Sequence, residues 1–155
     1  MRLRIALLCL GLSSPIFAQT APADISAQTR LVLDAYAKGD RSYLKSHLDP
    51  TFTAYGSDLA EVIHGPAAFD HMLEQDLLLW GGPVHIGTMR DISLVQHKDF
   101  ASIFFNADFS LHDQKPLPLR VAMVWHRSHG HWLLIQSSNV VPTQGQSAAE
   151  LLAKH

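Results

Sequence analysis

Residues 101–112 read ASIFFNADFSLH, a stretch in which apolar or small side chains alternate with mostly polar ones. Because successive side chains of a β-strand point to opposite faces of the sheet, this period of two predicts a strand with one buried face. Residues 119–126 (LRVAMVWH) alternate in the same way, and residues 132–141 (WLLIQSSNVV) follow after a turn. With a shorter strand expected at 92–96, the second half of the chain is predicted to be an antiparallel meander.

The first half of the chain carries helical patterns instead. Residues 25–38 place apolar side chains on one stripe, and Gly39 and Asp40 supply a helix end and a new N-cap in a single turn. A second short helix is expected next, then a strand at 52–55, and then a third helix that Pro66 begins. The pattern predicts an α+β fold, with three N-terminal helices packed on one sheet.

The N-terminal segment, residues 1–18, has the pattern of a cleavable signal peptide. Arg2 and Arg4 precede a short apolar run at 5–12, and Ala18 offers a small residue at the expected cleavage point. The apolar run is much shorter than the roughly 20 residues that span a bilayer, so no membrane association is expected after cleavage. We therefore expect a periplasmic or secreted protein.

The rest of the chain is expected to hold one domain. It divides into a flexible lead-in at 19–24, the α+β domain at 25–142 and a loose tail at 143–155. The single cysteine, Cys9, lies within the signal, so the expected mature chain has neither a disulfide nor thiol chemistry. The formal net charge of the full chain is −2 and no basic stripe is present, which argues against a nucleic-acid partner.

Several short motifs occur in one order along the expected domain. They are AYAKGD at 35–40, YGSD at 55–58 leading to EVIHG at 61–65, WGGP at 80–83, PLR at 118–120 and HGHW at 129–132. The ordered set resembles the SnoaL-like branch of the nuclear transport factor 2-like superfamily. The resemblance implies a cone in which a curved, mostly antiparallel sheet wraps around the helices and leaves an apolar pocket at its wide end. It also implies homodimers formed through the sheet, and the superfamily contains both enzymes and binding modules.

Two side chains are candidates for the general base that a proton-moving enzyme of this fold would need inside its pocket. Asp58 follows the first strand, near the place where the resemblance implies the base of isomerase-type members. The alternative for Asp58 is a solvated aspartate in a turn. His71 lies on the third helix beside the apolar residues of its buried side, and the alternative is a surface histidine.

Aromatic and charged side chains give three candidates for binding a small apolar or amphipathic molecule. Tyr36 and Tyr55 are expected at inward-facing positions, where aromatic residues either pack in the core or line a pocket. Arg120 opens a strand and can bind a polar group of the ligand through its guanidinium. Alternatively, Arg120 pairs with Asp108 or Glu61 as a structural ion pair.

The last strand adds two polar candidates for ligand binding, Gln136 and Ser138. Counted in steps of two, they are in register with Trp132 and Leu134, so all four side chains are predicted to face inward. We therefore expect Gln136 and Ser138 to offer hydrogen bonds to a molecule in the pocket. Many members of the SnoaL-like branch carry a histidine near the position of Ser138, and its absence weakens a histidine-based mechanism.

Ten histidines raise the question of a metal site, and His126, His129 and His131 lie close together at one predicted hairpin tip. Metal sites need ligands on a rigid frame, usually beside a carboxylate or a cysteine, so neither a metal nor a cofactor is expected. Two functions stay open, besides a purely structural role as a dimer. One is an exported domain that binds a small molecule, and the other is a cofactor-independent lyase, isomerase or hydrolase with a pocket Asp or His as general base.

Overall fold

The computed structural model describes residues 24–112, 114–143 and 148–153. The predicted signal peptide at 1–18 and nearly all of the lead-in at 19–24 lie outside the described residues, so both stay predictions. Within the described ranges, no helix is both long enough and apolar enough to cross a membrane.

Three helices precede the long strands, as the apolar stripes predict. They are α1 at Ile25–Lys38, α2 at Arg41–His47 and α3 at Gly65–Trp80, and a short α4 at Ala148–Leu152 follows the sheet. Gly39 ends α1 with a left-handed φ of 70°, a conformation that glycine adopts without strain. One residue later, Asp40 caps α2 by accepting a hydrogen bond from the backbone N–H of Tyr43 at 3.0 Å.

Seven strands form one mixed sheet, which the three helices cover on its inner face. The strands are β1 at Leu48–Tyr55, β2 at Val62–His64, β3 at His85–Ile86, β4 at Arg90–Gln96, β5 at Phe100–Ser110, β6 at Leu117–Ser128 and β7 at His131–Val140. The strand order is β2-β1-β7-β6-β5-β3, and β4 pairs with β5 on the same side as β3. Every neighbouring pair is antiparallel except β1 and β7, which run parallel.

The core lies between the helices and the inner face of the sheet. In β5 the buried residues are every second one from Ala101 to Ala107, which confirms the predicted period of two. Arg30 fixes α1 against the β3 edge of the sheet, because its guanidinium donates to the carbonyl oxygens of Ile86 and Gly87 at 2.9 and 2.7 Å. The helices are thus held at both the sheet face and the sheet edge.

The pairing of β6 with β7 changes register once, at a β-bulge. Trp125 pairs with Leu134, whereas Val124 pairs with Gln136, so Ile135 is an extra residue in β7. One extra residue shifts the alternation of side chains by one position.

The bulge overturns one prediction about β7. Trp132 and Leu134 are buried on the inner face as expected, but after the bulge Ser137 and the next alternate residue continue that face. The prediction that Gln136 and Ser138 face inward is therefore wrong. Both side chains lie on the outer face, because counting in steps of two passes through the bulge.

We predict that Phe105→Ala lowers the free energy of unfolding by about 3–5 kcal/mol, because a large core side chain is removed. Phe105 is 3% exposed. Asp108→Asn on the outer face of the same strand is the control. Asp108 pairs with Arg90 at 2.7 Å in solvent, so the loss of this pair should destabilise the fold far less. Chemical denaturation of both variants measures the difference, and equal losses would contradict the assigned faces of β5.

Candidate functional site

A cavity of about 310 Å³, here called the central cavity, lies between the helices and the inner face of the sheet. This volume is at the lower end of the range for small-molecule sites. Most of the wall is apolar and is built by α1, α3, β1, β6 and β7, with Val32, Phe52, Phe69, Met72, Val121 and Met123 among the lining residues. Tyr55, Leu79 and Leu117 also line the cavity but are exposed, so they mark its opening.

Aromatic rings form a continuous part of the cavity wall. Tyr36 lies 6.2 Å from Phe69 and 5.9 Å from Trp80, measured between ring centroids. Phe109 lies 5.3 Å from Trp80, and Phe52 lies 5.3 Å from Phe69. The Tyr36–Phe69 contact is tilted and the other three are edge-to-face, and contacts of these kinds stabilise aromatic clusters. The wall is therefore shaped before any ligand enters.

The main polar group of the central cavity is the pair formed by Tyr36 of α1 and Asp76 of α3. The Tyr36 hydroxyl donates to Asp76 Oδ2 at 3.4 Å, which is longer than an ordinary O–H···O hydrogen bond. Burial, and secondarily the negative charge of Glu61, raise the pKa of Asp76. Burial and then Asp76 raise the pKa of Tyr36 well above its usual range, so Tyr36 stays a neutral donor.

Glu61 reaches the cavity because the loop between β1 and β2 folds tightly. The backbone N–H of Gly56 donates to the Glu61 carbonyl at 2.9 Å, and the backbone N–H of Asp58 donates to Glu61 Oε2 at 3.2 Å. A Cβ atom at position 56 would lie 1.8 Å from Glu61 Oε2, so only glycine permits this approach. The loop thus places a second carboxylate on the wall that also carries Asp76.

Two further polar side chains, Ser137 and Asn139, enter the cavity from β7. They follow the bulge at Ile135, and they sit opposite Met123 and Val121 of β6. Neither side chain makes a hydrogen bond with another described residue. Both remain available to a molecule in the cavity.

The structure divides the five predicted ligand-binding residues. Tyr36 and Tyr55 line the central cavity, but the other three do not. Arg120 and Ser138 instead line a shallow groove on the outer face of the sheet, and Gln136 lines neither space. The prediction that these residues surround one cavity is wrong for Arg120, Gln136 and Ser138.

The ion pairs expected for Arg120 are also not found among the described residues. Neither of its two expected ion pairs occurs in the part of the chain that the structure describes. Asp108 bonds Arg90 instead, at 2.7 and 2.9 Å, and Glu61 lies on the inner side of the sheet.

The two predicted catalytic residues also lie outside the central cavity. Asp58 is exposed in the turn after β1, where its Oδ1 accepts from the backbone N–H of Ala60 at 2.8 Å. The side chain of His71 is 69% exposed on α3, and its Nδ1 lies 3.9 Å from Glu74 Oε2. Both positions match the alternatives of a turn aspartate and a surface histidine, and the geometry gives neither residue access to a bound molecule.

Sequence reasoning missed Asp76, although a signal for it existed. Phe69, Met72 and Trp80 define the apolar stripe of α3, and Asp76 lies four residues from both Met72 and Trp80. A carboxylate at that spacing must face the same side of the helix. Asn139 had no comparable local signal, because its direction depends on the bulge.

The predicted hairpin tip holds no metal-binding arrangement in the described ranges, where no group of three or more His, Cys, Asp or Glu side chains could hold an ion. His126 is engaged otherwise. Its Nδ1 lies 3.7 Å from Asp49 Oδ2, and its ring stacks on Phe100 with the ring centroids 4.8 Å apart.

No protein-family model and no curated protein matches the sequence. Several solved structures are similar to this protein. A proposed ketosteroid isomerase from Parabacteroides distasonis is 19% identical with a TM-score of 0.66, covering 83% of this chain and 96% of that one. An NTF2-like protein of unknown function from Pseudomonas putida is 14% identical with a TM-score of 0.64, covering 79% and 89%.

The association domain of a calcium/calmodulin-dependent kinase from C. elegans is also similar, with 19% identity, a TM-score of 0.63 and coverage of 76% and 92%. At these identities the likeness concerns the fold and not the function. Helices packed on a mixed, mostly antiparallel sheet are common to the set. The protein therefore has the nuclear transport factor 2-like α+β cone fold.

Proposed function

We propose that the protein binds a small, largely apolar molecule that carries at least one polar group, and that it does so in the central cavity. The observation that carries this proposal is the preformed cavity of about 310 Å³, whose apolar wall holds a few convergent polar side chains. As part of the same proposal, the chain is a SnoaL-like protein that acts after export, as residues 1–18 predict.

The cavity offers different walls to the apolar body and to the polar group of such a molecule. The aromatic wall around Tyr36 and Trp80 removes an apolar body from water, which is the main source of affinity in sites of this kind. Ser137 and Asn139 have unused hydrogen-bonding groups, and they fix the orientation of a polar substituent.

We predict that the neutral dye N-phenyl-1-naphthylamine binds the native protein with enhanced fluorescence, and that Ser137→Trp abolishes the enhancement by filling the cavity. Ser138→Trp is the matched control, because the next residue of β7 lies on the outer face. Fluorescence titration measures both variants, after thermal melts have shown that each one folds. Equal binding by the two variants would contradict the proposed site.

A second candidate function, proton transfer without a cofactor, is favoured by the environment of Asp76. A carboxylate whose pKa is raised by burial holds a proton more strongly than a solvated one, and so is better suited to exchange it with a bound molecule. The hydrogen bond from Tyr36 favours the ionised form and so supports the return of the proton. The similar ketosteroid isomerase-like structure agrees with this chemistry. Under this candidate the base is Asp76, and not Asp58 or His71.

We also propose that two copies of the chain associate through the outer face of the sheet. Four apolar side chains of this face are each about half exposed: Val95, Phe100, Phe104 and Val140. Arg120, which pairs with no other described residue, lies in the groove beside Phe104. Apolar side chains grouped on one sheet face are typical of protein interfaces. One of the solved structures with this fold is itself an association domain, which supports a role of the fold in assembly.

We predict that the protein is a dimer in solution and that Phe104→Glu makes it monomeric, because a charge would be buried in the interface. Leu59→Glu is the control, since Leu59 is 99% exposed in the loop after β1 and lies away from the outer face. Light scattering after size-exclusion chromatography gives the mass of each variant. A monomeric native protein, or a dimeric Phe104→Glu variant, would contradict this interface.

A further inference from the structure

The charged groups of the central cavity all have the same sign. Among the described residues that line it, Asp76 and Glu61 are carboxylates, and none is a lysine, an arginine or a histidine. Two ionised carboxylates that face one cavity repel each other, and the negative charge of Glu61 adds to burial in raising the pKa of Asp76. The cavity therefore lacks the positive partner that would compensate them.

The arginines of α1 and α2 are committed elsewhere. Arg30 pairs with Asp34 on α1 and also bonds the β3 edge, as described above. Arg41 pairs with Asp70 and Glu74 on the outside of α3. Side chains of the protein thus do not supply the missing charge from within the described ranges, and a ligand can.

The aromatic wall suits the same kind of ligand. Trp80 lies one helical turn after Asp76, and the Tyr36 ring contacts Trp80 while its hydroxyl bonds Asp76. Rings next to carboxylates attract an ammonium group through both cation–π and charge interactions. An anion would meet the opposite arrangement, with two carboxylates and with the Tyr36 hydroxyl already directed at Asp76.

We propose that the ligand of the central cavity is a lipophilic organic cation, whose ammonium group lies between Asp76 and Glu61 and whose apolar body lies along the aromatic wall. This inference rests on the proposed binding function and names its ligand class. The tight loop at Gly56 then contributes to ligand binding, because it places the Glu61 carboxylate next to the ammonium group.

Three probes of one shape and different charge test the ligand class: 4-phenylbutylamine, 4-phenylbutan-1-ol and 4-phenylbutanoate. Calorimetric titrations at neutral pH and about 150 mM salt, where exposed charges are screened beyond about 8 Å, compare their affinities. The amine is protonated under these conditions, as lysine is. We expect the amine to bind roughly tenfold more tightly than the alcohol, and the carboxylate to bind more weakly than the alcohol.

Two variants test whether the tighter binding of the amine depends on the two carboxylates. In the double variant Asp76→Asn/Glu61→Gln, the amine should lose its advantage while the alcohol binds as before. Asp108→Asn, a charge removal of the same kind on the outer face of the sheet, should leave the tenfold advantage intact.

The outcomes separate this inference from the function on which it rests. Equal affinity for amine and alcohol, stronger binding of the carboxylate, or an advantage that survives the double variant would overturn the organic-cation ligand. Binding of the neutral dye and the alcohol would still support the binding function in those cases. Failure of the dye and all three probes to bind would overturn the binding function itself, and the inference with it.

Discussion

The extra residue in β7, Ile135, sits where Trp125 of β6 meets Leu134, and it sets the shape of the interior. On one side of the bulge, large buried side chains such as Trp125 and Trp132 fill the space between sheet and helices. On the other side, the inner face continues with Ser137 and Asn139, which are small and polar. A sheet that fills one end and not the other leaves a cavity.

The same constraint decides how much of the site could be predicted from the sequence. Patterns within one element were reliable: the bounds of α1, the cap at Asp40 and the buried face of β5 with Phe105 are as predicted. Interactions between elements far apart in the sequence could not be predicted in the same way. Neither the parallel pairing of β1 with β7 nor the bulge at Ile135 has a local signature, so Gln136 was assigned to the wrong face.

In the candidate site, the sequence-based prediction fails for a second reason. The position of Asp58 after a strand predicts a general base, yet its own turn engages its carboxylate, which accepts from the backbone N–H of Ala60. Asp76 is not among the predicted site residues, although its spacing from Met72 and Trp80 places it on the apolar stripe of α3. An acidic residue that interrupts an apolar stripe is a better indication of a site than an acidic residue in a turn, because burial makes its charge costly.

The electrostatics of the central cavity connect stability with binding. A raised pKa means that the fold favours protonated Asp76, so this favourable contribution is present at low pH and is lost as the pH rises through the raised pKa. At higher pH the ionised Asp76 faces Glu61, and no positive charge among the described residues of the cavity wall balances the two carboxylates. A bound cation would supply that positive charge.

An NMR titration of the side-chain carboxyl carbon of Asp76 in the ligand-free protein tests this account most directly. Asp108 is the internal reference, since its bonds to Arg90 hold its pKa below the usual range. The account predicts that Asp76 titrates above the usual aspartate value while Asp108 titrates below it. An Asp76 that titrates at or below the usual value would show a solvated or cation-paired carboxylate, and would contradict an acidic, uncompensated cavity.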